Sequence, residues 1–173
     1  IIVLGILRGS MNIGQCNTPS GSGSVLIIAK LSTNYTCKWI STIDSMNHKY
    51  SKGLSLDSND DIYLIFSTYK GNQNGETVTF NSNQNSLSFE INQNRDAVTI
   101  LSKLSQNGSW AWRSILNYEL FEFNHITIDS SSNVWTSSYH DYQTHIRKHN
   151  SVTGNVISSN VFGTLKGSGV SPC

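Results

Sequence analysis

The sequence predicts an all-β protein, a β-propeller of four-stranded antiparallel blades, of which this chain covers about two and a half to three. Three observations support this prediction: an internal repeat of about 72 residues, apolar residues that alternate with polar ones, and clusters of turn-forming residues between the apolar runs. No stretch shows the spacing of apolar residues that an amphipathic helix requires. The 173 residues are enough for one domain with its own hydrophobic core.

The internal repeat is visible when VLIIAKLSTNYTCKWIS, which contains Lys30, is compared with VTILSKLSQNGSWAWRS, which contains Lys103. Both have Lys-Leu-Ser, then a polar turn, then a Trp nine residues after the Lys. A second matching unit follows each of them. GLSLDSNDDIYLIFS contains Asp57 and HITIDSSSNVWTSSY contains Asp129, which lie 27 and 26 residues after the respective Lys. Two motifs that recur in the same order at nearly the same spacing indicate a repeated structural unit.

Each half of the repeat predicts a β-hairpin. Leu54 and Leu56 before the Asp turn, and Ile62 and Leu64 after it, alternate with small or polar residues at the period of two that a strand requires. The intervening DSNDD and DSSSN are rich in residues that cap backbone amides and tolerate a left-handed backbone. STNYT and SQNGS play the same part before each Trp, and the Asn-Gly of the second is a strong hairpin signal. Four short antiparallel strands per repeat correspond to one propeller blade.

This order of motifs also resembles a known family. Asp-Ser-x-x-Asn/Asp with an apolar-aromatic strand, followed by Lys-Leu-Ser, a polar turn and Trp, is similar to the SBBP-type β-propeller repeat and the broader NHL-like class. Residues 6–32 resemble that repeat's link between two strands. The resemblance covers nearly the whole chain and implies a propeller, but it implies no single activity. The chain departs from the family at Asp60 and Ser132, where the family usually has Gly in the Asp turn.

The phase of the repeat divides the chain into blades, each with an Asp strand, an aromatic strand, a Lys strand and a Trp strand. We expect the last three strands of one blade in residues 1–42, a complete blade in 53–115, another in 125–160, and a tail at 161–173 that leads toward a further blade. Propellers close with about four or more blades. We therefore expect a processed or partial chain, with the ring completed by further chain, further copies or protein partners.

The same phase assigns the connections to two faces. The short Asp turns and Lys-to-Trp turns lie on one face, and the other face carries the crossovers, predicted at 43–52 and 116–124, and the links between second and third strands. The link at 70–96 is far longer than its counterpart after His140, and its TVTF and LSFEI predict a hairpin of its own. Length variation on one face of a repeat array is typical of a binding surface.

The DSNDD turn has a calcium-binding interpretation. Asp57, Asn59 and Asp61 place oxygen ligands at alternating positions, as calcium loops do. The turn lacks the following Gly and the distant bidentate Glu of an EF-hand. Because the equivalent turn after Asp129 carries one charge, a repeated structural turn explains both sequences better. Calcium is kept as the alternative, and no other cofactor is expected.

Catalytic and metal-binding motifs are weak in this sequence. His140, His145 and His149 are close together but lack a metalloenzyme spacing, so surface histidines are expected. Arg113 and Arg147 show no convergence of the kind that a sialidase-like propeller would use to bind a carboxylate. GxSxG, HExxH and P-loop motifs are missing from the sequence. These residues therefore predict a protein that is not an enzyme.

Aromatic residues recur at fixed repeat positions, which predicts that they fill the space between neighbouring blades rather than bind sugars. These residues are Trp39, Trp112, Tyr63 and Trp135. Trp110, two residues before Trp112, is expected to face the other side of its strand.

Two sequons and three cysteines bear on localisation. Asn34 and Asn107 fall in equivalent Lys-to-Trp turns and are glycosylation sites if a eukaryotic secretory pathway makes the chain. Cys16, Cys37 and Cys173 match no zinc spacing, and one disulfide with a free thiol or three unpaired thiols are both open. The abundance of Ser and Asn is common in secreted and surface β proteins. An extracellular or surface-exposed location is expected, with a virion component as the alternative.

Composition excludes two further classes. The net charge is +1 and the Lys and Arg residues are scattered, whereas nucleic-acid binding requires a basic patch. The apolar run IIVLGIL is far shorter than the roughly 20 residues of a membrane-spanning helix. The sequence therefore predicts a non-catalytic binding or structural module of a larger surface, secreted or virion assembly, which contacts a protein or glycan through its variable links. The alternative is a glycan-processing propeller enzyme whose active site lies in blades outside this chain.

Overall fold

Every regular element of the described structure is a β-strand, which confirms the predicted all-β class. The computed structural model describes residues 1–10, 12–18, 24–44, 49–69, 76–91, 97–117, 122–140 and 143–163. The strands are β1 (Ile2–Arg8), β2 (Asn12–Ile13), β3 (Cys16–Asn17), β4 (Ser24–Leu31), β5 (Cys37–Asp44), β6 (Lys49–Leu56), β7 (Ile62–Tyr69), β8 (Glu76–Asn81), β9 (Ser86–Ile91), β10 (Ala97–Leu104), β11 (Trp110–Asn117), β12 (Glu122–Ile128), β13 (Val134–His140), β14 (Gln143–His149) and β15 (Val156–Phe162).

The longer strands form three antiparallel sheets. Sheet I has the order β1-β4-β5-β8-β9, sheet II has the order β6-β7-β10-β11, and sheet III has the order β12-β13-β14-β15. β2 and β3 form a separate two-stranded ribbon. Sheets II and III contain the strands that the sequence repeat groups together, in the same neighbour order. Sheet I likewise contains β1, β4 and β5 from residues 1–42.

Two strands begin earlier than the sequence pattern predicts. β6 begins at Lys49 and β12 at Glu122, so the crossovers predicted at 43–52 and 116–124 are shorter than expected. Both strands change register near their start, between Ser51 and Gly53 in β6 and between Phe123 and His125 in β12. Such an irregularity interrupts the alternation of apolar and polar residues, and this hides the first part of each strand from a period-of-two pattern.

The long link between β7 and β10 contains the predicted hairpin, formed by β8 and β9. This hairpin does not stand apart from the sheets. β8 pairs with the end of β5, with Thr42 opposite Asn81 and Asp44 opposite Thr79, and so extends sheet I. We use the term insert ribbons for β2–β3 and β8–β9, because both lie between the second and third strands of a repeat.

The largest core cluster lies between sheets I and II. Phe80 of β8 lies at its centre and makes edge-to-face contacts with Phe66 at 5.9 Å and with Trp110 at 4.9 Å between ring centroids. The Trp110 Nε1 donates a hydrogen bond to the Asn81 carbonyl at 3.2 Å, so the polar edge of this buried indole is satisfied. The other buried members are Leu26, Ile28, Trp39, Ile43, Ile62, Leu64, Val78, Ile91, Val98, Ile100 and Leu104.

A second cluster joins sheets II and III. Tyr63, Leu101 and Val134 are buried together, and Ile126 and Ile128 of β12 pack against them. Trp112 meets Tyr63 edge-to-face, with ring centroids 6.0 Å apart. Trp112 therefore faces sheet III while Trp110 faces sheet I. A regular strand would point both residues to one face, but the register shift between Lys103 and Leu104 places Trp110 opposite Leu104 and so reverses its direction.

The first strands of sheets II and III approach closely at a glycine. A Cβ atom on Gly53 of β6 would lie 3.0 Å from the Cγ2 atom of Ile126 in β12. This separation is shorter than an ordinary carbon–carbon contact, so a larger residue would require the Ile126 side chain to shift by a few tenths of an ångström.

Two Trp residues join each sheet to a turn of the next sheet. Trp39 of sheet I donates from Nε1 to the Gln106 carbonyl of sheet II, and Trp112 of sheet II donates in the same way to the Ser151 carbonyl of sheet III, both at 3.0 Å. Each indole lies over a glycine in the left-handed region, Gly108 (φ 89°) or Gly154 (φ 75°). We call these two contacts the Trp–turn contacts.

A disulfide fastens the β2–β3 ribbon to sheet I. Cys16 of β3 is bonded to Cys37 of β5. Cys16 and Leu31 pack against the buried Ala29, Cys37 and Ile40, so the ribbon covers an apolar part of sheet I on the side away from sheet II. Of the arrangements that the sequence leaves open, the structure has one disulfide. Cys173 lies outside the described residues.

The described residues include no helix that is long and apolar enough to cross a membrane.

Gly108→Ala is expected to lower the free energy of unfolding by about 3 kcal/mol, since the new Cβ would meet the indole and the φ angle is unfavourable for alanine. The Cβ would lie 2.7 Å from the Trp39 Cδ2 atom. Gly14→Ala is the matched control, because Gly14 also has a positive φ but nothing lies within 4 Å of the added Cβ. The control should lose only about 1 kcal/mol in urea unfolding. Equal losses would show that the Trp–turn contact does not depend on close packing.

Candidate functional site

The repeated Asp turns are closed by the carboxylate of their first residue. Asp57 Oδ1 accepts the amide hydrogen bonds of Asn59 at 2.9 Å and Asp61 at 3.0 Å. Its Oδ2 accepts a hydrogen bond from the hydroxyl of Tyr63 at 3.2 Å. The carboxylate thus holds the turn and the first aromatic residue of the next strand together.

The second Asp turn repeats this arrangement in sheet III. Asp129 Oδ1 accepts from the amides of Ser131 and Asn133, each at 2.9 Å, and Oδ2 accepts from the Trp135 indole at 2.9 Å. The hydrogen bonds from Trp135 and Asn133 lower the pKa of Asp129 to about 2. This carboxylate is therefore ionised throughout the neutral and weakly acidic range.

The fourth residue of each Asp turn has a left-handed backbone. Asp60 has a φ of 62° and Ser132 a φ of 59°. These are the two positions at which the sequence resemblance predicts Gly. A left-handed residue other than Gly has a conformational cost, and Asp bears it better than Ser.

Ser132→Gly is expected to raise the free energy of unfolding by about 1 kcal/mol, because glycine adopts this φ without strain. Ser131→Gly, one residue earlier in the same turn, is the control. Ser131 is not among the positive-φ residues, so its replacement should only add freedom to the unfolded chain and lower stability by about 0.5 kcal/mol. Thermal or urea unfolding measures both changes, and a destabilised Ser132→Gly variant would contradict the assigned backbone.

The three residues with the calcium interpretation lie beside a lysine. Asp57 and Asp61 are close together, and the Nζ atom of Lys103 lies 2.8 Å from Asp61 Oδ2 and 3.9 Å from Asp57 Oδ2. Asn59 contributes its backbone amide to the turn. Burial lowers the pKa of Lys103, but hydrogen bonds with Asp61 and Tyr63 outweigh this and leave it raised, so the ammonium group stays charged. Calcium stays a prediction, and this geometry favours the structural turn.

The lysine contact also accounts for the environment of Tyr63. The Lys103 Nζ lies 5.0 Å from the centre of the Tyr63 ring, and burial raises the pKa of the Tyr63 hydroxyl. Tyr63 therefore donates to Asp57 as a neutral phenol. Asp57, Asp61, Lys103 and Tyr63 form one closed network that holds the turn end of sheet II.

The expectation that the histidines lie on the surface is wrong for His149. Its side chain is fully buried, with Nε2 2.9 Å from the Thr136 hydroxyl oxygen and Nδ1 3.2 Å from the Gly154 carbonyl. The cause is its register: His149 pairs with Val134 as Leu104 pairs with Ile62, so it occupies a core position of the repeat. His140 ends β13 and His145 lies in β14.

Burial lowers the pKa of His149 below its ordinary value of about 6.5. The unfolded chain takes up a proton near that pH and the folded chain does not, so stability should decrease as the pH falls below about 6.5. His149→Leu introduces the residue type found at the equivalent position, Leu104. In this variant the free energy of unfolding should depend less on pH between about pH 7.5 and pH 5.5. His125→Gln replaces an exposed histidine and should leave the pH dependence of stability unchanged. A wild-type chain equally stable at both pH values would contradict the burial of a neutral imidazole.

The two arginines considered for carboxylate binding lie in different sheets. Arg113 of β11 stacks on Phe89, with the guanidinium carbon 4.4 Å from the ring centroid, and donates to the Ser88 carbonyl at 2.8 Å. Arg147 lies in β14 of another sheet. Within the described residues, no group of three or more His, Cys, Asp or Glu side chains could hold a metal ion.

Both sequons lie on exposed turns. Asn34 accepts a hydrogen bond from the Thr36 amide at 3.4 Å, and Asn107 accepts one from the Ser109 amide at 3.1 Å. The Asn107 Nδ2 also donates to Gln84 of the β8–β9 turn at 3.3 Å. Glycosylation of Asn107 would replace one of the two hydrogens on this nitrogen. Glycosylation at either residue stays a prediction.

A cleft lined mainly by residues with hydroxyl or carboxamide groups lies over β5, between the two insert ribbons, and the sequence pattern did not indicate it. Its volume is about 480 Å³. The described lining residues are Asn17, Thr18, Ile40, Thr42, Asn81, Ser82 and Asn83. They come from parts of the chain that are far apart in sequence, so the sequence pattern contains no signal for them. We call this feature the β5 cleft.

Neither the family models nor the curated proteins and solved structures compared with this chain include a match to it. The family resemblance seen in the sequence therefore stays a prediction.

Proposed function

We propose that the chain is part of a β-propeller that serves as a non-catalytic binding or structural module of a larger surface-exposed, secreted or virion assembly. Three features support the propeller. The sheets follow each other in chain order, β12 packs against β6 as the first strands of neighbouring blades do, and the Trp–turn contacts recur at both sheet junctions.

Further sheets of the same repeat complete the ring in this proposal. In sheet II, Tyr63 is buried under sheet III, whereas its equivalent Trp135 in sheet III is only partly buried. The seven residues of β15 are all exposed, and Val156, Ile157 and Phe162 are large apolar residues at least half exposed. An uncharged edge strand with exposed apolar residues is typical of a surface that another chain segment covers. The covering segment would come either from more of the same chain or from a further copy of it.

Binding rather than catalysis is supported by the structural contacts that the described charged groups make. The carboxylates of Asp57, Asp61 and Asp129 are engaged in turns, and Lys103 is paired with two of them. The two insert ribbons build a cleft lined by uncharged groups. This cleft is the observation on which the proposed binding function rests.

An extracytoplasmic location is also part of the proposal. The Cys16–Cys37 disulfide supports it, because disulfides persist mainly in oxidising compartments. The two exposed sequons are consistent with it. A virion component is an alternative with the same surface chemistry.

The binding function is tested by presenting the purified chain to an array of immobilised glycans and, in parallel, to a panel of chromogenic glycosides. We expect retention on one or more of the glycans without release of the chromophore. Release that rises in proportion to protein concentration would contradict the proposal and favour a glycan-processing enzyme. Native mass spectrometry of the same sample is expected to show assembly of copies if the ring closes between chains.

A further inference from the structure

The β5 cleft contains a buried hydroxyl group that makes no hydrogen bond within the described structure. Thr42 is 2% exposed and its Oγ1 atom has no partner, although the side chain lines the cleft. A buried hydroxyl without a partner is destabilising, and a ligand that pairs with it removes that cost. We propose that the cleft binds one unit of an uncharged saccharide, with Thr42 as a hydrogen-bonding residue. This inference rests on the proposed binding function and names its ligand class.

The repeat shows that a polar residue at this position is particular to sheet I. Trp39 and Trp112 are equivalent, so Thr42 in β5 corresponds to Ile115 in β11. Ile115 packs against the core between sheets I and II. The same strand position thus carries an isoleucine where it packs against the core and a threonine where it lines the cleft.

The cleft exists because the insert ribbon of sheet I covers less than that of sheet II. In sheet II, β9 places Phe89 over Arg113, which corresponds to Ile40 in sheet I. β2 and β3 have two residues each, whereas β8 and β9 have six. The shorter ribbon leaves a space of about 480 Å³, within the size range of small-molecule sites.

The described lining matches a neutral polyhydroxylated ligand. Side chains with hydroxyl and carboxamide groups predominate: Asn17, Thr18, Thr42, Asn81, Ser82 and Asn83. Such groups both donate and accept hydrogen bonds, as sugar hydroxyls do. Ile40 supplies an apolar surface for the C–H groups of a ring. Because the described lining includes no charged residue, a carboxylate or phosphate would lose hydration there without gaining a counter-charge.

A peptide fits this cleft less well than a sugar. β5 is paired on both edges, with β4 and with β8, so this part of the strand has no free edge to which an extended peptide could add. The described lining also lacks the large apolar or aromatic pocket that anchors most peptide side chains.

Both walls of the cleft are held rigidly. Asn17 follows Cys16, which the disulfide fixes to β5. On the opposite wall, Ser82 donates to the Asn85 carbonyl and accepts from its amide, both at 2.9 Å, and Asn81 accepts from Ser86 at 3.0 Å. A rigid site loses little conformational entropy when a ligand binds, which favours affinity for a small ligand.

Thr42→Val tests the proposal, because it removes only the hydroxyl group. Methyl glycosides and disaccharides of glucose, galactose, mannose and N-acetylglucosamine are titrated into ¹⁵N-labelled chain, with glucuronate and N-acetylneuraminate as charged probes. We expect the wild type to bind a neutral sugar, and Thr42→Val to bind it roughly 5-fold more weakly. The free energy of unfolding of Thr42→Val should be equal to or higher than that of the wild type, because the lost hydroxyl had no hydrogen-bond partner.

Thr136→Val is the matched control. Thr136 is equally buried, but its hydroxyl is hydrogen-bonded to His149 in sheet III. This variant should lose stability and keep its affinity for the sugar. Asn83→Ala, at the exposed rim of the cleft, is the second binding variant and should also weaken binding.

Each outcome separates the ligand from the broader function. Binding that neither Thr42→Val nor Asn83→Ala weakens would place the glycan elsewhere and overturn the cleft assignment, while the proposed binding function would stand. Preference for the charged sugars, or no binding to any neutral one, would overturn the saccharide inference and leave protein partners as ligands. Turnover of the glycosides would overturn the proposed function itself.

Discussion

The arrangement of the three sheets depends on the contact between a Trp of one sheet and a glycine turn of the next. The indole needs a flat surface and a carbonyl acceptor, and the turns at Gly108 and Gly154 provide both. The contact has the same kind of partners at both junctions, a backbone carbonyl and a left-handed glycine. Sheets I and II are therefore joined in the same way as sheets II and III. The core clusters between the sheets then follow from residues on the facing strands.

The charged residues of the repeat serve mainly to hold its turns. A short carboxylate at the start of each Asp turn can accept two backbone amides and the polar atom of the following aromatic residue. This arrangement explains why Asp recurs while the other acidic residues of DSNDD do not. It also explains why an Asp-rich turn resembled a calcium loop in sequence: oxygen atoms at alternating positions suit either a cation or backbone amides.

The insert ribbons are where the repeats differ from one another. β8–β9 folds back along sheet I and fills the space between sheets, and β2–β3 is shorter and fastened by a disulfide. The sequence predicts that the long link at 70–96 contributes to binding on the face that carries the crossovers. Its described part instead forms a wall of the β5 cleft, so the candidate binding site lies on the side of sheet I that faces away from sheet II.

The sequence by itself determined the all-β class and the grouping of strands within sheets II and III. These properties depend on local turn chemistry and on a period of two, which are written in consecutive residues. It did not reveal the early start of β6 and β12, because register shifts interrupt the alternation. It also placed His149 at the surface, since a polar residue in a core position is recognised only when its register is known.

Only the tertiary structure decided which cysteines pair, where β8 adds to a sheet, and that Thr42 lies in a cleft with Asn17 and Asn83. Each of these depends on contacts between segments that are distant in the chain. Such contacts are selected by the packing of whole sheets, and no short stretch of sequence records them.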